Sequence, residues 1–175
     1  LVQVHGRGVI AGLAAREKVI VACLRTAYLA SGEDIIGPAR DLLVAGLGAD
    51  PAGVVLGGQG RGASQAYYAA LADPAPWAGL VLVSGPPANP AGIAPLPGGR
   101  TFYLEGAESP DLETMRAARE AAREGRVRFG LVPAAEHFLA LACGLERVLR
   151  FAAEPGPAPA PPAGTAPSTD SVTCT

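Results

Sequence analysis

The chain has 175 residues, of which 49% are apolar and 17% charged, so it can bury one substantial core and fold as a single domain. Its formal net charge is -2 and its Lys and Arg residues are scattered, which excludes the basic face that nucleic-acid binding needs. No apolar run approaches the roughly 18 residues of a membrane span, and no secretory-signal pattern opens the sequence. We therefore expect a cytoplasmic protein without a membrane span.

Short apolar runs alternate with longer helical patterns along the chain. Helices are predicted at residues 34–47, 62–72, 111–124 and 137–153. This alternation predicts the α/β class, with a three-layer, doubly wound and mainly parallel sheet of about six strands. The predicted strands, in chain order, are LVQVH, KVIVACL, GVVLG, GLVLVSG, RTFYLEG and RVRFGLV.

The composition changes at Glu154, where the chain becomes rich in Pro, Ala, Ser and Thr. We predict one domain over residues 1–153 and a disordered tail over residues 154–175, because such a segment has little surface to bury. We interpret this segment as a spacer or dispensable extension. The alternative, a Pro-rich segment that docks into an aromatic-lined groove of a partner, is less favoured.

The cysteines are Cys23, Cys143 and Cys174, an odd number at wide spacing. This pattern predicts neither a disulfide framework nor a zinc site, and favours two small core residues and one thiol in the tail. No cluster of His, Cys and Asp has metal-ligand spacing, so neither a metal nor a cofactor is expected.

Ligands of doubly wound sheets bind beyond the carboxyl ends of the strands, so the residues that follow each strand are informative. GQGRG, residues 58–62, lies between a predicted strand and a predicted helix and has the G-x-S-x-G spacing of a serine hydrolase's nucleophile turn, with Gly60 at the serine position. A nucleotide-binding loop is disfavoured because G-x-G-x-x-G spacing and a following G-K-S/T are both missing.

Two further segments follow predicted strands at the same edge. His5-Gly6-Arg7-Gly8 can turn sharply and present paired N–H groups of the kind that stabilise an oxyanion. His137 follows the last predicted strand and can face the glycine turn, although a histidine at a helix start can also cap or pack. The chain order of nucleophile, acid and histidine is that of the α/β hydrolases.

Together these segments resemble the α/β hydrolases, and most closely the phospholipase/carboxylesterase family. The resemblance rests on HGRG, LGGQGRGASQAYYAALADPAPWAGLVLVSGPP, RTFYLEGAESPD and PAAEHF, in this order, and covers most of residues 1–151. It implies the α/β-hydrolase fold, truncated at its N-terminal edge, where two strands that usually precede the HG-bearing strand are missing.

Carried over position by position, the resemblance places the backbone N–H groups of Arg7 and Arg61 in the oxyanion hole and His137 as general base. The nucleophile position falls on Gly60, which has no side chain. The acid position falls on Ser109, which cannot hold a histidine tautomer as a carboxylate does. Two of the three catalytic groups are therefore missing from their family positions.

Neighbouring residues could replace the missing nucleophile and acid. Ser64 lies one helical turn, about 5.4 Å, beyond Gly60, which is too far for a direct replacement. Glu108 and Asp111 flank the acid position, and Glu108 is the candidate acid. We expect a non-catalytic or very weakly hydrolytic protein that binds a small ester or carboxylate. The alternatives are an active carboxylesterase or thioesterase that uses Ser64 with His137, and water activation by His137 alone.

Overall fold

The computed structural model describes residues 7–22, 24, 35–85, 100–121, 127–136, 139–154 and 169–171. Within them the chain has α/β architecture: a parallel sheet with helices on both faces. The α-helices are α1 (Arg7–Arg16), α2 (Ile36–Asp41), α3 (Arg61–Ala72), α4 (Leu112–Ala121) and α5 (Leu139–Ala153). The strands are β1 (Val55–Gln59), β2 (Gly79–Val83), β3 (Thr101–Gly106), β4 (Val127–Val132) and β5 (Thr169–Ser171).

The strands lie side by side in chain order, β1-β2-β3-β4-β5, and each described pair is parallel. Parallel neighbours need a crossover, and α3, α4 and α5 lie between successive strands as the predicted alternation requires. The predicted strands GVVLG, GLVLVSG, RTFYLEG and RVRFGLV are confirmed as β1 to β4. All their carboxyl ends therefore meet at one edge of the sheet.

Each face of the sheet carries its own apolar cluster. On one face, Leu82 and Tyr103 pack with Tyr67 of α3 and Met115 of α4. On the other face, strand side chains such as Leu104 pack with α5, and Leu13 of α1 joins them. Because successive strand residues point to opposite faces, burial on both sides explains why β2 and β3 are apolar almost throughout.

The first two predicted strands have different outcomes. LVQVH lies outside the described residues. The described part of KVIVACL, residues 18–22 and 24, forms no strand, so this prediction is wrong there. After α1 the chain turns at Lys18, whose φ is 56°, and Val19 N donates back to Ala14 O at 2.9 Å. No strand among the described residues pairs with this segment, and the Ile20 side chain therefore stays 51% exposed.

The predicted helices are present with shifted boundaries. The one predicted over residues 34–47 is α2 continued by a π-helical turn, Leu42–Gly46. The helix predicted from residue 62 begins one residue earlier, and the last helix is described from Leu139 onward. Among the described residues, none of the helices combines the length and apolar character that crossing a membrane requires.

Two parts of the segment predicted as a disordered tail are described, Glu154 and Thr169–Ser171. Glu154 accepts hydrogen bonds from Arg100 Nη1 at 2.9 Å and from Arg128 Nη1 at 2.6 Å. Residues Thr169–Ser171 form β5, which extends the sheet beyond β4. Composition did not indicate either feature, because both depend on partners far away in the sequence. Residues 155–168 and 172–175 lie outside the described part of the chain.

Cys143 on α5 is disulfide-bonded, so the prediction of an unpaired core cysteine is wrong at this position. Spacing along the chain could not reveal the bond, since a disulfide depends on proximity in the fold. The other cysteines, Cys23 and Cys174, lie outside the described residues.

Candidate functional site

The segments that follow β1 to β4 converge at the carboxyl edge of the sheet. Gly60 N donates to Val83 O at 2.8 Å, which joins the turn after β1 to the end of β2. Glu108 N donates to Ala135 O at 2.9 Å, which joins the segments after β3 and β4. These bonds join neighbouring segments in pairs at the carboxyl edge of the sheet, and the segments form the candidate site. That HGRG and His137 also meet there stays a prediction.

Gly60 is the sharp turn between β1 and α3. Its φ is 55° and its ψ is -124°, in the region that L side chains rarely adopt. Its carbonyl oxygen accepts from Ala63 N at 2.9 Å and Ser64 N at 3.3 Å, so α3 begins directly after the turn. A strained strand-to-helix turn is the backbone form of a nucleophile elbow, in which the central side chain projects above the sheet. Here that position has no side chain.

Neighbouring glycines make this turn possible by close approach. A Cβ on Gly58 would lie 2.2 Å from the backbone of Gly62, and a Cβ on Gly85 would lie 2.2 Å from Gly60 O. Both distances are far below van der Waals contact, so the elbow requires glycine at both positions. A Cβ on Gly62 would meet no atom within 4 Å. Close contact therefore does not require glycine at position 62.

The predicted oxyanion and histidine residues are only partly placed. Arg61 is the first residue of α3, directly after the elbow, with an exposed side chain. Arg7 is the first residue of α1, which contacts α5 and so lies on the sheet face opposite α3. Its side chain is not described, and its oxyanion role stays a prediction. His137 lies outside the described residues, and the described chain leads up to it at Glu136.

Ser109, to which the resemblance assigns the acid position, bonds the backbone of the turn that leads into α4. Its Oγ accepts from Asp111 N at 3.2 Å, and its carbonyl oxygen accepts from Leu112 N at 3.2 Å. The hydroxyl thus bonds within the turn ahead of the helix, while the carbonyl oxygen takes the N–H of Leu112, one of the first-turn donors that have no partner within the helix. Glu108, the candidate acid, has an exposed side chain. The position that the resemblance assigns to the acid thus holds a serine that bonds the turn ahead of α4.

The sequence analysis missed a different carboxylate, Glu105, near the end of β3. Its side chain is fully buried, and its Oε1 accepts from Ser84 Oγ at 2.8 Å and from Gly106 N at 2.9 Å. Its Oε2 is buried with no hydrogen-bond partner among the described residues. The signal was present in RTFYLEG, since a carboxylate inside an apolar strand of a parallel sheet is unusual.

Ser84 links this carboxylate to the elbow. It follows β2 with a φ of 44°, a conformation uncommon outside glycine, and it is fully buried. Both sequence neighbours of Ser84 contact Gly60. The carbonyl oxygen of Val83 accepts the Gly60 N–H, and Gly85 packs against the Gly60 carbonyl oxygen. Strain of this kind concentrates at functional sites and persists where surrounding contacts hold it. Glu105, Ser84 and Gly60 therefore form one connected unit.

Tyr103 lies two residues before Glu105 on the same face of β3. It is fully buried, and its hydroxyl has no hydrogen-bond partner among the described residues. Burial raises the pKa of Tyr103 well above its ordinary value, and the negative charges of Glu105 and Asp111 raise it further. The hydroxyl therefore stays protonated. Tyr103 and Glu105 thus each bury an oxygen atom that has no hydrogen-bond partner among the described residues.

Chemically, the described site offers a strained elbow and buried oxygen atoms. It contains no group of three or more His, Cys, Asp or Glu side chains that could hold a metal ion, within the described ranges. Searches of protein-family models, curated proteins and solved structures find no match to the chain. The likeness to a hydrolase thus rests on the sequence segments and on the elbow geometry.

Proposed function

We propose that this chain is an α/β-hydrolase-like domain of the phospholipase/carboxylesterase type that binds a small ester or carboxylate without efficient turnover. The backbone of Gly60 carries the proposal: its φ of 55° in a strand-to-helix turn has the strain of a nucleophile elbow. The crowding at Gly58 and Gly85 gives further support, because the turn is held by close packing on both sides.

The missing side chain explains why turnover is weak. In triad enzymes, loss of the nucleophile costs on the order of a millionfold in turnover, while the oxyanion hole and binding retain roughly a thousandfold over water. Ser109 adds to the loss because the acid position of the resemblance then has no carboxylate. Its hydroxyl accepts the N–H of Asp111, just ahead of α4.

The second candidate is an active esterase that uses Ser64 with His137. Ser64 lies in the first turn of α3, and its N–H donates to Gly60 O at 3.3 Å. This places its backbone close to the elbow, but its side chain is one helical turn beyond the nucleophile position. Both candidates predict a role for His137, and they differ in whether any serine is activated.

Restoring the nucleophile tests the proposal. We expect no fluorophosphonate labelling of the unchanged chain and clear labelling of Gly60→Ser, because the new hydroxyl would occupy the elbow. Gly62→Ser is the matched control, since it adds the same side chain two residues away without a clash. Intact-mass spectrometry of each protein after reaction gives the readout, and p-nitrophenyl acetate hydrolysis measures turnover.

The outcomes separate the readings. Labelling of the unchanged chain that Ser64→Ala abolishes would establish the active esterase instead. Equal reactivity of Gly60→Ser and Gly62→Ser, or none in either, would overturn the hydrolase-like site. Hydrolysis by the unchanged chain without labelling, lost in His137→Ala, would indicate that this histidine activates water directly.

The disulfide at Cys143 bears on the compartment. Structural disulfides persist in oxidising compartments and are rare in the cytosol, where thiols are kept reduced. We infer an oxidising compartment for the folded protein, in place of the cytoplasm that the sequence pattern favours.

A further inference from the structure

The strand β5 joins the sheet by an unusual connection. The crossovers from β1 to β2 and from β3 to β4 use α3 and α4, which pack on one face, whereas α5 lies on the other face between β4 and β5. All three connections run in the same direction across the sheet, so the last has the opposite hand. Right-handed connections make up about 98% of parallel crossovers. The two that agree are therefore right-handed, and the connection to β5 is left-handed.

The pairing of β5 with β4 is also short. It comprises three residues, Thr169–Ser171, in register with Phe129, Gly130 and Leu131. The sequence around β5 is rich in Pro, Ala, Ser and Thr, and such segments have little apolar surface to bury. A short strand on a left-handed connection needs a further restraint to stay on the sheet.

Cys143 of α5 can supply this restraint, because it is disulfide-bonded. The next residue, Gly144, faces the sheet so closely that a Cβ there would overlap Leu104 of β3. Leu104 pairs with Gly130, which in turn pairs with Asp170. Cys143 therefore lies level with the middle of β5 along the strand direction, two strand positions away.

The direction of the Cys143 side chain distinguishes the two candidate partners. Glu146 of α5 binds Arg16 of α1 at 3.0 Å. Leu13 of α1 joins the same apolar cluster as Val55, so α1 lies on the β1 flank of α5. Residues three apart in a helix fall about 60° short of a full turn. With right-handed crossovers at α3 and α4, this rotation from Glu146 turns Cys143 away from α1 and toward the flank of β4 and β5.

Cys174 is three residues beyond the end of β5. Three extended residues span about 10 Å, and the Cα atoms of a disulfide lie about 5.5 Å apart. Two strand spacings and the thickness of a helix put Cys143 about 14 Å from Ser171, which is within that reach. Cys23 instead follows α1, and its neighbour Leu24 is 39% exposed. We propose that Cys143 and Cys174 form a disulfide that clamps β5 onto β4, and that its reduction releases the strand.

Reduction of this disulfide opens the edge of the sheet. A dithiol such as dithiothreitol transfers two electrons and two protons to the disulfide, which becomes two thiols, while the reductant becomes a cyclic disulfide. The released strand leaves the outer backbone groups of β4 unpaired, and such an edge can pair with another extended segment. The edge of β4 is thus closed under oxidising conditions and open under reducing ones. This device is independent of the chemistry at Gly60.

Peptide mapping tests the pairing. Trypsin cleaves after Lys and Arg, which puts each cysteine in a separate peptide: residues 19–25, 129–147 and 151–175. The full chain is alkylated with iodoacetamide and digested without reductant. We expect a cross-link between 129–147 and 151–175 that dithiothreitol removes. A cross-link between 19–25 and 129–147 would assign Cys23 and overturn the proposal, and so would alkylated Cys143 in the unreduced chain.

Hydrogen exchange tests the clamp itself, residue by residue in the ¹⁵N-labelled full chain. On reduction, the β4 amides that bond β5 should exchange at least about tenfold faster, the factor that loss of one hydrogen bond gives, while those of β2 stay protected. Cys174→Ser should exchange fast without reductant. Cys23→Ser is the matched control and should exchange slowly until it is reduced.

Three exchange results would contradict the clamp. Unchanged exchange of β4 on reduction would show that the disulfide does not hold β5. Fast exchange of β4 in unreduced Cys23→Ser would place the restraint at the other cysteine. Equal acceleration of β2 and β4 would mean that the bond holds the whole domain. The peptide map decides the pairing even where a variant fails to fold, and fluorophosphonate labelling of Gly60→Ser tests the proposed function separately.

Discussion

Ser84 donates a hydrogen bond of 2.8 Å to Glu105, and both side chains are fully buried at the carboxyl edge of the sheet. The bond joins the segment after β2 to the end of β3. Through Val83 and Gly85, which both contact Gly60, it also supports the backbone of the elbow. Stability of this edge and geometry of the elbow should therefore change together.

A double-mutant cycle measures that bond. Ser84→Ala should lower the free energy of unfolding by about 1–3 kcal/mol, because Glu105 loses one of its two donors. Glu105→Gln should cost a similar amount, and the double variant less than the sum. Urea unfolding gives the values. Glu108→Gln, which changes an exposed carboxyl three residues away, is the control and should be neutral. Additive losses would mean that the pair is not coupled.

Tyr103 predicts a specific pH dependence. Since burial raises its pKa, the folded state retains a proton that an unfolded tyrosine releases near pH 10. Stability from this group is complete below about pH 10 and declines as the pH rises further. Tyr103→Phe should flatten the decline in unfolding free energy above pH 10. At pH 7 it should leave stability unchanged or raise it by about 1 kcal/mol, since it removes an unsatisfied hydroxyl. A steeper alkaline loss in the variant would contradict this.

The glycines around the elbow should differ sharply in how far substitution by alanine changes the stability of the fold. Gly85→Ala should destabilise the fold by about 1–3 kcal/mol or more, because the added Cβ overlaps Gly60 O at 2.2 Å. Gly62→Ala should stabilise it by about 0.5–1 kcal/mol, since the site is open and alanine favours the helix. Thermal and urea unfolding of both variants test the contrast. Equal effects would show that the close approach is absent in solution.

Glu154 should stabilise the end of α5. Glu154→Gln removes the charge that faces Arg100, whose side chain is 10% exposed and whose Cζ lies 4.4 Å from the centre of the Phe151 ring. We expect a loss of about 2 kcal/mol in unfolding free energy, below the roughly 3–5 of a fully buried pair because Glu154 is 35% exposed. Arg128→Met, at a 50% exposed partner, should cost less than about 1 kcal/mol.

The disulfide at Cys143 determines how many cysteines of the chain should react with a thiol reagent. Of the three cysteines, one should react with a thiol reagent in the unfolded, non-reduced protein. Reduction should lower the unfolding free energy by about 2–5 kcal/mol. Cys23→Ala and Cys174→Ala identify the partner: the variant that leaves two reactive thiols has lost it, and the other leaves none. Three reactive thiols in the unchanged chain would contradict the bond.

Local pattern predicted the elements that depend on neighbours in sequence. Strands β1 to β4 were predictable because apolar runs bounded by glycine and charge mark buried strands, and the Gly60 turn because its neighbours define a strand and a helix. KVIVACL shows the limit. Its pattern is as strand-like as that of β2, yet Ile20 is 51% exposed and no described strand pairs with it. A strand needs a partner, which propensity does not supply.

The sequence by itself determined the α/β class, the order of β1 to β4 along the chain and the absence of a side chain at Gly60. Tertiary structure alone decided that Glu105 accepts from Ser84 and that Glu154 binds two arginines. The reason is physical. Secondary structure follows from the periodicity of adjacent residues, whereas hydrogen bonds of buried side chains join residues that only the packing of distant segments brings together.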